Sequence, residues 1–239
     1  SLVGSEMCIR DRIGEDATAV FNMLSGYSEP RSWNKLVVAP LWMRNRFLHL
    51  IEMERERALE GKKARIVAKM NSLCDRDIIA ALYAASAAGV QIDLIIRGIC
   101  CLKVGIPGIS ENITVRSIVG NFLEHSRIFY FYSDGREQIF MGSADWMPRN
   151  LDKRVEIVFP VEDEKIKEEV KHILEIQLAD NVKAHVLQKD GTYEKIDKRG
   201  KQLINSQEYF CEEATRRGML PENLIHDRIF VPAQAPEEA

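Results

Sequence analysis

Charge of one sign is what this sequence lacks: 33 Lys and Arg against 36 Asp and Glu leave a net charge of -3 over 239 residues. No global basic excess marks a nucleic-acid binder, so any polyanion site must be local. Long apolar runs are missing too. None approaches the ~20 residues needed to cross a bilayer, and no secretory leader is recognisable. The five cysteines, Cys8, Cys74, Cys100, Cys101 and Cys211, show no metal-like spacing. Reduced thiols and a cytoplasmic setting are therefore expected. Internal repeats and low-complexity segments are absent as well. What remains is a composition of 46% hydrophobic and 29% charged residues. That suits a globular chain able to bury a sizeable core in one large domain or two small ones.

Periodicity then divides the chain. The first dozen residues, SLVGSEMCIRDR, do not fit the pattern of the rest of the chain and read as a foreign or disordered leader. Gly14 to Leu24 reads as a short helix with Ala17, Val20, Phe21 and Leu24 on one stripe. A connector with Gly26 and Pro30 leads to a brief strand at Leu36–Ala39. Met43 to Leu59 is a strong helix with Phe47, Leu48 and Ile51 inward. Arg65 to Leu73 alternates as a strand, and Asp75 to Ala88 reads as a helix capped by Asp75 and stopped at Gly89. Val90 to Ile96 is nearly all apolar, as a strand buried on both faces should be. Strand, helix, strand at this spacing is a βαβ unit and implies parallel pairing. Lys103 to Ile113 is a loop, and Val115–Ile118 a strand. Glu164 to Leu178 is an amphipathic helix with Ile166, Val170, Ile173 and Leu174 inward. Val182 to Leu187 is a strand, residues 189–201 a polar periphery, and Asn205 to Arg217 a last helix before a disordered tail.

Glu124 to Glu156 carries the densest chemistry. His125 and Arg127 precede the apolar strand SRIFYFY, and Ser133-Asp134-Gly135 is a turn signal. A strand from Gln138 returns to Gly142-Ser143-Ala144-Asp145. A third, Arg154 to Phe159, has Glu156 near its start. A lone histidine at a strand edge is more commonly structural than catalytic. His49, His172, His185 and His226 have no such company and read as structural or solvent-facing.

The order His125-x-Arg127, Gly142-Ser143-x-Asp145, Glu156 resembles the phospholipase D superfamily motif, with departures. Arg127 stands where that motif has Lys, Tyr132 where it has Asp, and Asp145 where it has Asn. Those departures resemble the last domain of polyphosphate kinase, and the resemblance extends through VAKMNSL, IIRGICCL and GISENITVRSIVGNFLEHSR, over most of residues 13–216. It implies an α/β phospholipase D-like domain with a mixed, largely parallel sheet flanked by helices. Residues 13–34 would be a remnant of a preceding catalytic domain, 35–217 the domain itself and 218–239 a tail.

The resemblance also implies a chemistry: reversible transfer of the terminal phosphate of ATP to inorganic polyphosphate. The phosphohistidine would form on an upstream domain that this chain lacks. ATP would be a substrate, and magnesium would be held by residues outside this chain. The full-length enzyme would be a homo-oligomer in the cytoplasm, with neither nucleic acid nor a membrane span involved. His125 would contact nucleotide phosphates and move protons, with Glu156 fixing its tautomer. Arg97, His125 and Arg127 would bind phosphate, the arginines as forked clamps. Asp145, Lys69, Asn71, Arg149 and Arg154 would support them, with Asp145 orienting the histidine or holding an arginine. No residue is assigned to a metal. Two alternatives stay open: a phosphodiesterase or nuclease completed by homodimerisation, and a non-catalytic polyanion-binding module.

Overall fold

The computed structural model of the chain describes residues 2–28 and 30–219, with side chains from Arg12 onward. Its elements in order are α1 (Leu2–Leu24), β1 (Val37–Val38), α2 (Met43–Leu59), β2 (Arg65–Met70), α3 (Arg76–Ala87), β3 (Gln91–Ile96), β4 (Ile113–Ile118), β5 (Ile128–Phe131), β6 (Gln138–Gly142), α4 (Pro148–Asp152), β7 (Ile157–Val161), α5 (Glu164–Ala179), β8 (Ala184–Leu187), β9 (Tyr193–Lys195) and α6 (Ser206–Gly218). The expected helices over 43–59, 75–88, 164–178 and 205–217 are present within a residue or two. Asp75 caps α3 by accepting the Ile78 N–H at 3.1 Å.

All nine strands form one sheet in the order β1-β7-β6-β5-β2-β3-β4-β8-β9. It is mixed, as expected, but not largely parallel. Among the named strands only β2 with β3 and β3 with β4 pair in parallel, with isolated parallel bridges from Leu73 to Cys100 and Trp146 beyond their ends. The outer pairings are antiparallel. The reason is local: β5–β6 and β8–β9 are hairpins, and a tight turn can join only antiparallel neighbours.

Alternation in β2 explains the layering. Ile66, Ala68 and Met70 join Phe47 and Ile51 of α2 and Ile78 and Leu82 of α3 in one core. Val67, pointing the other way, joins Val170 and Leu174 of α5 in a second. The central strands are thus covered on both faces. Ile166, expected inward, is exposed at the start of α5. In the larger core the rings of Phe47, Phe129 and Trp146 lie 4.6–5.4 Å apart. Trp146 is fully buried, so the segment around it is anchored to the core.

Three expectations need correction. The first helix begins at Leu2 rather than Gly14, because no proline interrupts the backbone before Leu24. Phe21 and Leu24, expected on its buried stripe, are 72% and 58% exposed. What ties this helix down is Val20 against Leu36 and Val38, together with buried Asp16. Its carboxylate accepts backbone N–H bonds from Asn34, Lys35 and Leu36 at 2.9, 2.7 and 2.8 Å. Finally, the polar periphery contains β9, whose exposed residues carry no apolar signal and which pairs with β8 at the sheet edge. Of the tail expected over 218–239, Gly218 still belongs to α6, and the part after Met219 lies outside the described residues.

Asp180 performs the equivalent task at the other end. It is fully buried and accepts N–H bonds from Val182, Lys183, Ala184 and Ser206, plus the Ser206 hydroxyl. Burial raises its pKa, but the donors, led by Ser206, outweigh that and leave the carboxyl below its ordinary range. Asp180→Ala is expected to cost about 2–4 kcal/mol at neutral pH, read as a lower urea midpoint at unchanged slope. A carboxyl whose folded pKa is depressed stabilises above the unfolded value of about 4, and loses that contribution as pH falls through the folded one. The difference between variant and parent should therefore narrow in acid. A gap that widened there would refute this account of Asp180.

Candidate functional site

Strand register brings the candidate residues to one end of the sheet. Parallel β2 and β3 pair Met70 with Ile96, so Asn71 and Arg97 emerge side by side at their carboxyl ends. Antiparallel β5 pairs Ile128 with Lys69, which puts His125 and Arg127 at the same end. The next two pairings, Ile128 with Met141 and Gly142 with Val158, bring Gly142–Asp145 and Glu156 there too. Gly98 donates its N–H to the Asn71 carbonyl at 2.7 Å, and a Cβ there would lie 3.0 Å from that oxygen. Close strand contact accounts for this glycine. A Cβ on Gly142 would come within 2.2 Å of the Ile157 carbonyl oxygen, so only glycine allows β6 and β7 to meet here.

Asp145 is buried and holds three chain segments together. Arg127 reaches it with Nε and Nη2 at 3.1 and 3.3 Å, and Arg127 Nη1 donates to the His125 carbonyl at 2.8 Å. The Asn71 backbone N–H donates to Asp145 Oδ1 at 2.8 Å, and its side-chain amide lies 3.5 Å from Oδ2. That same amide nitrogen is 3.3 Å from His125 Nδ1, while the His125 residue as a whole is exposed. Of the two tasks expected of Asp145, the geometry fits the second: it holds the arginine directly and reaches the histidine ring only through Asn71.

Lys69 is almost fully buried on the α5 face. Its Nζ contacts Glu124 Oε2 at 3.1 Å and Ser126 Oγ at 2.7 Å. Burial lowers its pKa, Glu124 opposes this by charge and hydrogen bond, and the charges of Arg127 and Arg97 add to the lowering. Three cations therefore converge beside His125. Lys69 and Arg127 are engaged by carboxylates, whereas no side-chain hydrogen bond or ion pair to Arg97 is found among the described residues.

Glu124 is in turn held by Gln177 of α5 and Gln207 of α6, each at 2.9 Å. Gln207 also exchanges hydrogen bonds with the Phe122 backbone at 3.1 and 2.8 Å. These contacts fix the segment that delivers His125. Sequence reading missed them. Glu124 adjoins the histidine and could have been found, but nothing local marks a glutamine in the last helix.

Glu156 is not paired with His125. It is buried, and its oxygens accept the Ser143 hydroxyl and the Asn150 amide, with Arg154 at 3.8 Å. Those donors come from the β6–α4 connection and α4 itself, so Glu156 braces the loop that presents Asp145. Arg149 and Arg154 are exposed at the edge of this bracing and do not contact His125 among the described residues. Cys74 lies beside the site, its backbone N–H donating to the Trp146 carbonyl at 2.9 Å. Burial, then Cys101, pushes the Cys74 thiol up to about 11, so it is no thiolate at neutral pH.

Comparison with known proteins places the chain in a family. Residues 36–207 match the family model "Polyphosphate kinase C-terminal domain 2". A polyphosphate kinase of Synechocystis sp. is 58% identical over 184 residues, 77% of this chain and 25% of that protein. One from Lactiplantibacillus plantarum is 46% identical over 231 residues, 94% of this chain and 32% of its own length. The crystal structure of polyphosphate kinase from Porphyromonas gingivalis superposes with a TM-score of 0.82 at 39% identity, covering 86% of this chain and 32% of that one. The chain thus spans about a quarter to a third of the length of these relatives. The family model covers well over half of the residues, and the chain belongs to the polyphosphate kinase family, its matched part corresponding to C-terminal domain 2.

Proposed function

We propose that this chain is the C-terminal catalytic part of an enzyme that reversibly transfers the terminal phosphate of ATP to inorganic polyphosphate. The supporting observation is the convergence of Arg97, Lys69 and Arg127 beside His125 at one end of the sheet. Phosphoryl transfer requires mainly positioning and positive charge around the moving group. Arg97, whose side chain has no hydrogen-bond or ion-pair partner among the described residues, is the forked donor most free for phosphate oxygens. Lys69 supplies field rather than direct contact, because its ammonium is engaged by Glu124 and Ser126, while Arg127 keeps only the N–H groups not taken by Asp145 and the His125 carbonyl.

His125, exposed and next to these charges, contacts the nucleotide phosphates. The histidine that becomes phosphorylated would lie in the part of the relatives that this chain does not span. In that division residues 35–217 are the domain described here, 13–34 belong with a preceding one, and the assembled enzyme is a cytoplasmic homo-oligomer. Among the described residues no group of three or more His, Cys, Asp or Glu side chains could hold a metal ion. Magnesium, if the enzyme uses it, would be held by residues of the part of the relatives that this chain does not span.

Two substitutions in the full-length enzyme test this reading. His125→Ala should abolish most incorporation of labelled phosphate from ATP into acid-insoluble polymer, while circular dichroism stays unchanged because the exposed ring contributes little core. Wild-type rates in a folded variant would sink the assignment. Arg97→Ala should weaken ATP or polyphosphate binding by about 1.5–3 kcal/mol, the range of a hydrogen bond to a charged group. Arg97→Lys should recover only part of that, since the fork is lost. Titration calorimetry would show whether lysine instead restores binding fully, which would rule out a forked clamp at this position.

A further inference from the structure

We infer that Asn71 is a positioning residue that keeps neutral His125 in the tautomer with its proton on Nε2, aimed outward as a donor. Asp145 sets the constraint. Paired with Arg127 through both oxygens and with the Asn71 backbone N–H, it is a carboxylate that can only accept. The part of the Asn71 amide facing Asp145 Oδ2 must then be Nδ2, because Oδ1 there would set oxygen against oxygen. The same Nδ2 lies 3.3 Å from His125 Nδ1. An amide nitrogen has two hydrogens and no acceptor, so Nδ1 must be the unprotonated nitrogen and the ring proton resides on Nε2. Asn71 Oδ1 is buried with no hydrogen-bond partner among the described residues, a cost consistent with the amide being held by its nitrogen side.

This arrangement reverses the usual one, in which a carboxylate accepts from Nδ1–H and leaves Nε2 free to take a proton. Glu156, the carboxylate expected in that role, is occupied by Ser143 and Asn150. A neutral ring so held donates Nε2–H to an oxygen in front of it and does not act there as a base. That the oxygen belongs to a phosphate rests on the function proposed above; the tautomer does not.

Long-range proton–nitrogen correlation NMR on the 15N-labelled full chain reads the tautomer directly, at a pH where the ring is neutral. The His125 signals are identified by their loss in His125→Gln. The expected pattern is a pyridine-type Nδ1 and a pyrrole-type Nε2, with no admixture of the other tautomer. Asn71→Leu keeps the bulk of the side chain but removes the donor, and Asn71→Ala removes both; each should give a mixture of the two tautomers. A protonated Nδ1 in the parent chain, or an Asn71→Leu spectrum unchanged from the parent, overturns the inference. Should Asn71→Leu fail to fold, an Asn71→Ala spectrum unchanged from the parent overturns it as well. The readout is blind to nucleotide chemistry, so a chain with the expected tautomer but no role in phosphate transfer would leave this inference standing and remove only the functional reading.

Discussion

The buried pairing of Asp145 with Arg127 is the contact on which the site depends. A carboxylate with so little solvent access is tolerated only if its oxygens are satisfied, and here each receives an arginine donor and an Asn71 donor. Meeting that requirement ties the end of β2, the start of β5 and the β6–α4 loop to one point. The neighbouring residue, Trp146, is stacked on Phe129 at 5.1 Å in the main core. Apolar packing thereby fixes where the carboxylate stands, and the carboxylate fixes where His125 can be.

A chain with a net charge of -3 nonetheless gathers three cations around a single histidine. The cost of doing so is visible in Lys69, whose ammonium is shifted down first by burial and then further by two arginines. Glu124 offsets part of that cost and is held by glutamines from both helices at the α5–α6 end. The local field is strong because the sheet, not the overall composition, places these charges, which is how a nearly neutral protein can present a site suited to a polyanion.

Sequence periodicity was a reliable guide where one element's burial depends on its own residues. The stripe of α2, the cap and stop of α3, and the alternation of β2 all appear where the pattern places them. It failed where a neighbour decides. Phe21 and Leu24 sit on an apolar stripe, yet the cluster against which α1 packs meets Ile13, Val20 and Met23 and leaves those two exposed. The exposed β9 has no pattern to read and exists only because β8 offers it an edge.

The sequence alone showed which residues could do chemistry and in what order they stand, because His125, Arg127, Gly142, Asp145 and Glu156 fall within one short stretch that runs from just before β5 to just before β7. It also determined the family, through segments long enough to be specific. Only the tertiary structure decided who holds whom. Glu156 goes to Ser143 and Asn150, Asp145 to Arg127, and Asn71 to His125, since these pairings depend on register across four strands and on which donor reaches a buried oxygen first. Hydrogen bonds to buried carboxylates are short-ranged and directional, and no linear spacing encodes a direction.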